Sequence, residues 1–478
     1  MLTAREVTVE PLSIQRFESI LNPADFAVAM KQGAAMSERM QGRVFWNVNT
    51  TAVGGGVAEM LQSLLRYSRG MGIDARWVVI AGTPEFFRLT KRLHHALHGA
   101  NGDGSLLDDA ARSIYERVLL ENSRDICARV RSGDVVLLHD PQTAGLAPLL
   151  QRAGAHVIWR CHIGADQANE QVEYGWNFLA PYLKDVPNFI FSREAYVPDS
   201  CDHGKATIIQ PSIDAFSPKN CDLDPATVRT VLVHTGLVEG PPPDPPQHTF
   251  LREDGTPGRV ERRADIVRLG RAPTWEAPLV VQVSRWDPLK DPVGVLRGFA
   301  RLCDRATTNK AHLILAGPNV TGVADDPEGG EVFATVLAAW RSLPHATRNR
   351  IHLASLPTND VAENAVIVNA LQRHATVVVQ KSLREGFGLT VTEAMWKARP
   401  VVASAIGGIR DQIEDRKSGY LLADPTDLDA FAETVREVLM NHRDAARVGH
   451  AARERVREKF LGVRHLLQYA KLLDEIEL

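Results

Sequence analysis

An α/β fold of two doubly wound units is the fold class this sequence predicts. Three observations carry it. The chain has 478 residues, too many for one hydrophobic core. Short apolar runs alternate with longer amphipathic stretches, the mark of parallel sheets covered on both faces. That rhythm stops after residue 192 and restarts at 279.

The first set of strands is 43–49 (RVFWNVN), 75–81, 134–140 (DVVLLHD), 156–162 (HVIWRCH) and 188–192. Each is short and rich in β-branched or aromatic residues, as a buried strand should be. Helical periodicity fills 56–70, 84–98, 106–131, 142–153 and 168–184 between them. The second set is 279–285 (LVVQVSR), 312–317, 350–355, 376–380 and 400–404, with helices near 291–305, 331–343, 360–373, 389–398 and 426–441. Residues 210–220 (QPSIDAFSPKN) read as a linker. Residues 239–265 are rich in proline and charge and read as an exposed or partly disordered insertion. The expected division is a first domain over 1–215, a linker over 216–275, a second domain over 276–450 and a C-terminal helix over 451–478.

Composition narrows the function. The net charge of −3 leaves no electrostatic footprint for nucleic acid or an anionic membrane. No apolar run approaches the roughly 20 residues of a membrane span. The first 17 residues lack the apolar core of a signal peptide. Five scattered cysteines, with no CxxC pair, fit reduced thiols better than a disulfide framework or zinc site. The expectation is a soluble cytoplasmic protein.

Ligands of open α/β sheets bind where strand carboxyl ends meet a crevice, so loops after strands are the candidates. NTTAVGGGVAEML (49–61) follows a strand and opens a helix, with Asn49 at the strand end. Gly54, Gly55 and Gly56 allow close backbone approach to a ligand, and the helix N-terminus favours an anion or a hydroxyl. A tight turn with no ligand is the alternative. VSRWDPLKDP (283–292) puts Arg285 and Lys290 on one loop, a fork and a point charge suited to a diphosphate. Taken alone, they read more readily as two solvated surface cations. KSLREGFGLTVTEAM (381–395) joins a strand to a helix. The backbone of Gly386, Phe387, Gly388 and Leu389 lies at a helix start and can bind phosphate or sugar oxygens. Glu385 can accept from sugar hydroxyls, and Glu393 can grip a vicinal diol such as a ribose. A helix-start acid and an ordinary surface glutamate are the bland alternatives, but they leave the flanking glycines unexplained. His162, in RCHIGAD, and His139, Asp140 and Gln142, in LLHDPQTAG, also stand at strand ends. A lone histidine there is more often structural. Trp46 and Trp159 read as sheet packing. No metal-ligand cluster is visible.

Three motifs together carry a family resemblance. S-x-x-E-G-F-G-L-T-x-x-E-A at 382–394, the preceding SRWDPLKD, and SAIGGIRDQIEDRKSGYLL at 404–422 resemble the retaining family-four nucleotide-sugar glycosyltransferases. In the first half, VFWNVNTTAVGGGVAEML, FFRLTKRLHHALHG, WRCHIGAD and QPSIDAFSPKN are similar to the trehalose glycosyltransferring synthases, and trehalose phosphorylases share much of the pattern. The resemblance implies the GT-B fold, two Rossmann-like domains facing a central cleft with the C-terminal helix crossing back to the first. It implies transfer of glucose from a nucleoside diphosphate glucose (ADP- or UDP-glucose) to glucose, forming trehalose reversibly. The catalytic residues implied are Arg285, Lys290, Glu385 and His162. The donor would also meet Gly386, Phe387, Gly388, Leu389 and Glu393, and the acceptor Gly55, Gly56, Asn49, Asp140 and His162. No nucleophile is evident, so the implied route is same-face attack with the leaving phosphate taking the acceptor's proton. No cofactor is required, though Mg2+ could accompany the diphosphate, and a homodimer is compatible. A trehalose phosphorylase, another sugar acceptor (with Lys91 and Arg92 as the extra cations), or a non-catalytic nucleotide-sugar binder are the competing readings.

Overall fold

The computed structural model describes residues 2–52, 55–305, 310–320 and 327–476. The chain divides into two compact units, Met1–Ser212 with Phe460–Leu478, and Ile213–Lys459.

The first unit is built on seven strands: Arg5–Val7 (β1), Phe45–Asn49 (β2), Ala75–Val79 (β3), Val135–His139 (β4), His156–Cys161 (β5), Asn188–Phe191 (β6) and Ala206–Ile208 (β7). Their order is β1-β3-β2-β4-β5-β6-β7, parallel except for β1. Every residue of β2 and β4 is buried, which is why these strands read as continuous apolar runs. Trp46 and Trp159 lie inside this core, as the sequence suggests. The chain runs from β2 outward to β3, then returns to place β4 on the other side of β2. That reversal opens a crevice at the carboxyl ends of β2 and β4, where an open sheet binds its ligand.

The helix Gly462–Glu475 belongs to this unit and packs on the helices Pro23–Arg39 and Gly56–Gly70. Its buried face is Val463, Leu466, Tyr469, Ala470, Leu472 and Leu473. Each fully buried leucine there contributes about 1.5–3 kcal/mol. Arg39 donates to the carbonyls of Leu473 (2.7 Å) and Ile476 (2.5 Å), satisfying the orphan acceptors at the helix end.

The second unit carries a two-stranded hairpin, Thr249–Leu251 (β8) with Pro257–Arg259 (β9), and seven further strands. These are Asp265–Val267 (β10), Leu279–Val283 (β11), His312–Pro318 (β12), Ile351–Leu356 (β13), Val377–Gln380 (β14), Val401–Ser404 (β15) and Tyr420–Leu422 (β16). Their order is β10-β13-β12-β11-β14-β15-β16, with only β10 antiparallel. The direction of winding reverses between β11 and β14, so the loops after those two strands share one crevice.

Three expectations need correction. The stretch 239–265 is structured: its hairpin and β10 are pinned to the helix Val361–His374 and to β13. Arg252 forms a two-pronged pair with Asp360 at 2.9 and 2.6 Å. The buried Glu363 accepts backbone N–H groups from Glu261 (2.6 Å) and Arg262 (2.7 Å) and also holds the Arg262 side chain. Charges that look solvated in sequence thus find carboxylates a hundred residues away. The second correction is the boundary at 451, because the helix His442–Lys459 belongs to the second unit and only Phe460 onward joins the first. Third, the segment 216–275 is no free linker: it carries the helix Pro225–His234 and lies within the second unit.

Candidate active site

In the second unit the loop after β11 holds Arg285 and Lys290, and the loop after β14 holds Glu385. The N–H of Leu383 donates to the carbonyl of Leu289 at 2.8 Å, tying the two loops together. Lys290 Nζ lies 2.6 Å from Glu385 Oε2, with the side chains 18% and 10% exposed. Ser382 Oγ donates to the same carboxylate oxygen at 3.3 Å. A second pair lies beneath the first. Lys381 is fully buried and bonded to Asp291, whose backbone is left-handed (φ 48°) and whose other oxygen accepts the Gly294 N–H at 2.9 Å. Sequence reading passed over Lys381, although a lysine directly after the apolar run TVVVQ is a signal of a buried cation. Arg285 is largely exposed and reaches Asp287 at 3.1 Å.

The Gly386–Gly388 backbone is set by packing from the 404–422 block. Gly388 has φ 85° and caps the helix Leu389–Trp396. Gln412 donates to the Phe387 carbonyl at 2.5 Å and accepts from Thr392 at 2.6 Å. Gly408 donates to the Gly386 carbonyl at 2.9 Å. A Cβ on Gly408 would stand 2.7 Å from Phe387 Cα and 2.9 Å from the Gly386 carbonyl oxygen. Gly408→Ala therefore has to push this loop aside. We expect a folded protein whose kcat/KM falls about 100-fold, the cost of misplacing a binding group by about 1 Å. Steady-state kinetics alongside a thermal melt check it.

Glu393, on that helix, is 3% exposed, and its Oε1 lies 3.6 Å from Lys219. Beside it Lys397 is also sealed, donating to Asn220 Oδ1 at 3.0 Å and to the Glu393 carbonyl at 3.1 Å. Burial lowers the Lys397 ammonium's pKa, and the Glu393 charge opposes that shift. Lys219 and Asn220 come from the SPKN stretch that sequence reading treats as linker.

In the first unit, Gly54 lies outside the described residues. Gly55 has φ 82° and stands at the start of the helix opened by Gly56. Asn49, chosen from sequence as an acceptor ligand, is instead used inside the protein. Its Oδ1 accepts from the Trp77 indole at 2.8 Å and its Nδ2 donates to the Thr51 carbonyl at 2.8 Å. Arg92 is likewise no surface cation: it is buried and donates to the Ser105 carbonyl (3.0 Å) and Gln171 (2.7 Å).

Asp140 and His162 do come together. Asp140 Oδ1 accepts the backbone N–H of His162 at 2.8 Å, and the Asp140 N–H donates to the Arg160 carbonyl at 2.7 Å. Behind them the buried His139 ring stacks on His162, centroids 5.4 Å apart. Burial pushes both histidines well below 6.5, helped by the Arg160 cation. Burial also raises Asp140 from 3.8 to about 7, against the His162 N–H bond and Arg160. The folded state thus holds this proton more tightly than the unfolded chain, so ionisation costs stability as pH rises from 3.8 to about 7. Asp140→Asn keeps the acceptor oxygen and tolerates the left-handed backbone at φ 64°. Its melting temperature should gain on the wild type as pH rises through that window and hold the gain above it.

Among the described residues, no three His, Cys, Asp or Glu side chains gather to hold a metal. No described helix is long and apolar enough to cross a membrane. A polar cavity of about 520 Å³, lined by Ser37, Glu38, Gln41, Arg43 and Asp74, opens at the amino ends of β2 and β3. That is the opposite end of the strands from the loops above.

The two switch-point loops thus bring a cation–carboxylate pair to the carboxyl ends of β11 and β14, and comparison with known proteins gives the class of the fold. Residues 272–455 match the family model "Glycosyl transferases group 1". A UDP-forming α,α-trehalose-phosphate synthase from Burkholderia xenovorans, solved with glucose 6-phosphate, superposes with a TM-score of 0.67 at 17% identity, covering 91% of this chain and 100% of that one. The protein is a glycosyltransferase of the GT-B class. Residues 47–198 match "Trehalose synthase, N-terminal domain". Trehalose synthase of Pyrococcus horikoshii is 33% identical over 476 residues, 100% of this chain and 99% of that one. The Thermococcus litoralis enzyme of the same name is 35% identical over 93% of this chain and 94% of its own. The chain belongs to the trehalose synthase family. A trehalose phosphorylase of Pleurotus pulmonarius is more distant, at 28% identity over 80% of this chain and 50% of its own length.

Proposed function

We propose that this glycosyltransferase moves glucose from a nucleoside diphosphate glucose to free glucose, forming trehalose with retention at the donor's anomeric carbon. The observation that carries the reading is the Lys290–Glu385 pair at the β11/β14 switch point. A partly desolvated ammonium there can neutralise the charge that develops on a departing diphosphate. Arg285 supplies a second, solvent-facing cation for the same group. Glu385 and the backbone of Gly386, Phe387, Gly388 and Leu389 hold the donor glucose, and Glu393, backed by Lys219, takes the ribose hydroxyls. On the first unit, Gly55, Gly56, Asp140 and His162 take the acceptor.

Retention is compatible with same-face attack and with double displacement through a covalent intermediate, and the engagement of Glu385 favours the first. A retaining glycosidase sets two carboxylates about 5–5.5 Å apart and uses one as nucleophile. Here the Glu385 carboxylate is already engaged by Lys290 and Ser382, which suits a binding group. The acceptor hydroxyl's proton then passes to the leaving phosphate oxygen as the new glycosidic bond forms and the old one breaks. The residues needed are all protein groups, and Mg2+ enters only as a companion of the diphosphate.

Incubation with glucose and, in turn, ADP-, UDP- and GDP-glucose tests the reading. Trehalose and nucleoside diphosphate should appear in equal amounts from one of these donors. Donor binding without disaccharide would overturn the acceptor assignment. Release of glucose 1-phosphate from trehalose, only with inorganic phosphate, would identify a phosphorylase instead. A trapped glycosyl-enzyme adduct would refute same-face attack.

A further inference from the structure

The stacked histidines behind Asp140 form part of a directed hydrogen-bond chain that the proposed mechanism leaves unused. His139 Nε2 lies 3.1 Å from Asn47 Oδ1, and His139 Nδ1 lies 3.1 Å from His162 Nε2. Asn47 and His139 are buried, and His162 is partly exposed. The protons along this chain follow from chemistry. An amide oxygen can only accept, so His139 Nε2 carries the hydrogen and donates to Asn47. A neutral imidazole then has a lone pair on Nδ1, so His162 Nε2 must carry a hydrogen and donate to His139. The remaining nitrogen, Nδ1 of His162, is left as an acceptor. It bonds no described residue and is not sealed from solvent.

We propose that Asn47 and His139 are positioning residues that lock His162 in its Nε2–H tautomer, so that the open Nδ1 accepts a hydrogen bond from a sugar hydroxyl. The inference rests on the reading that His162 faces the sugar. A mobile imidazole would present a donor half the time, and a sugar hydroxyl could satisfy either form. The chain removes that ambiguity: it makes the histidine a fixed acceptor and sets which way the hydroxyl's hydrogen points. For a transferase, that orientation selects one rotamer of a hydroxyl before the reaction begins, and leaves its oxygen lone pairs facing elsewhere.

The groups around the chain keep it free of a second proton. Arg160 approaches both rings from β5 as a cation that Asp140 offsets only when ionised, and His465 on the C-terminal helix, itself kept neutral by burial with Arg160 and Arg464 beside it, adds no negative charge. Asn47→Asp breaks this arrangement in a defined way, because it adds one titratable proton. With that proton on His139, or on the carboxyl oxygen that faces it, the chain reverses. His139 Nδ1–H then donates to His162 Nε2, and His162 is driven to its Nδ1–H tautomer. Once the extra proton leaves at higher pH, the carboxylate accepts from His139 as the amide did, and the original direction returns.

The test is the 15N spectrum of histidine-labelled protein without ligand, with His162 assigned from the spectrum of His162→Gln. In the wild type, His162 should be neutral and Nε2–H from pH 5.5 to 8.5. A wild-type His162 in the Nδ1–H form, as imidazolium, or averaging both tautomers would overturn the lock, whatever any variant does. Asn47→Asp should show the Nδ1–H form at low pH and the Nε2–H form at high pH. Over the same range its kcat/KM should be depressed roughly tenfold at low pH and recover, as expected for loss of one oriented hydrogen bond. An unchanged tautomer and pH profile in a folded Asn47→Asp protein would refute the proposal. If His162→Ala keeps full activity while the tautomer behaves as expected, the sugar-facing reading of His162 fails and the lock stands alone.

Discussion

Lys290→Ala should lower kcat by about 100- to 1,000-fold, the loss seen when one preorganised charge-stabilising group is removed from a transfer site. That corresponds to about 3–4 kcal/mol of transition-state stabilisation. Lys290 is suited to the task because it is held rather than free. Its ammonium lies 2.6 Å from Glu385 and its backbone carbonyl accepts from Gln282 Nε2 at 2.8 Å, so little reorganisation accompanies the reaction. The ammonium serves as a point charge on a short loop, and Lys290→Arg should restore activity only in part, since a planar fork fills a different shape. On the proposed roles, removing the lysine would also leave the Glu385 carboxylate without its counter-charge near the donor, so nucleoside diphosphate affinity should fall with kcat. Calorimetric titration of the nucleotide beside single-turnover kinetics separates the two effects. A kcat within tenfold of the wild type would remove Lys290 from the mechanism. Arg285→Ala should show the smaller effect, because that guanidinium is largely solvated and its charge is screened.

How much of this was legible follows from what each element depends on. The ten longer strands are found within a residue or two of where periodicity puts them, because each is buried along nearly its whole length. The three-residue edge strands β1, β7, β10 and β16 were missed, since three residues carry no period. The loops after β11 and β14 could be picked out as binding loops, yet nothing local says that these two strands are neighbours. Strand order decides that, and with it the meeting of Lys290 and Glu385, 95 positions apart. Glycines were readable as loop formers, whereas Gly408 matters for what a Cβ would strike, which only the fold reveals. Asn49 was misread because a polar residue at a strand end looks the same whether it faces a ligand or braces Trp77. The Pro-rich stretch was misread because Arg252 and Arg262 find partners only in the folded chain.

Arg160→Ala should cost the first unit about 3–5 kcal/mol, the range for emptying a large buried site and orphaning its partners. Arg160 lies on β5, wholly buried, and its guanidinium joins three parts of the chain. It donates to His465 Nε2 at 2.6 Å and to the Tyr469 hydroxyl, both on the C-terminal helix, and to the Ile209 carbonyl at 3.0 Å. His465 is held neutral far below 6.5 by burial and by the Arg160 and Arg464 cations, so its Nδ1 is free to donate to Ser212 Oγ at 2.9 Å. Truncation would leave a cavity in the sheet and strand His465, Tyr469 and a carbonyl without a donor. Since the contact spans 305 positions, its loss should be felt first at the chain end. The C-terminal helix should become cleavable near Phe460, where the chain passes from one unit to the other, before the sheet itself unfolds. Denaturant titration gives the energy and limited proteolysis gives the order. Simultaneous loss of helix and sheet would mean that the helix is part of the unit's single cooperative core rather than a strap fastened by Arg160. The same cluster sets an acid limit. His465 is neutral when folded but takes a proton when unfolded below 6.5, so the stability it supports falls as pH drops through that value. Without Arg160 the imidazole loses a neighbouring cation and its pKa rises toward normal, so the variant should be less stable overall yet show a shallower loss in acid.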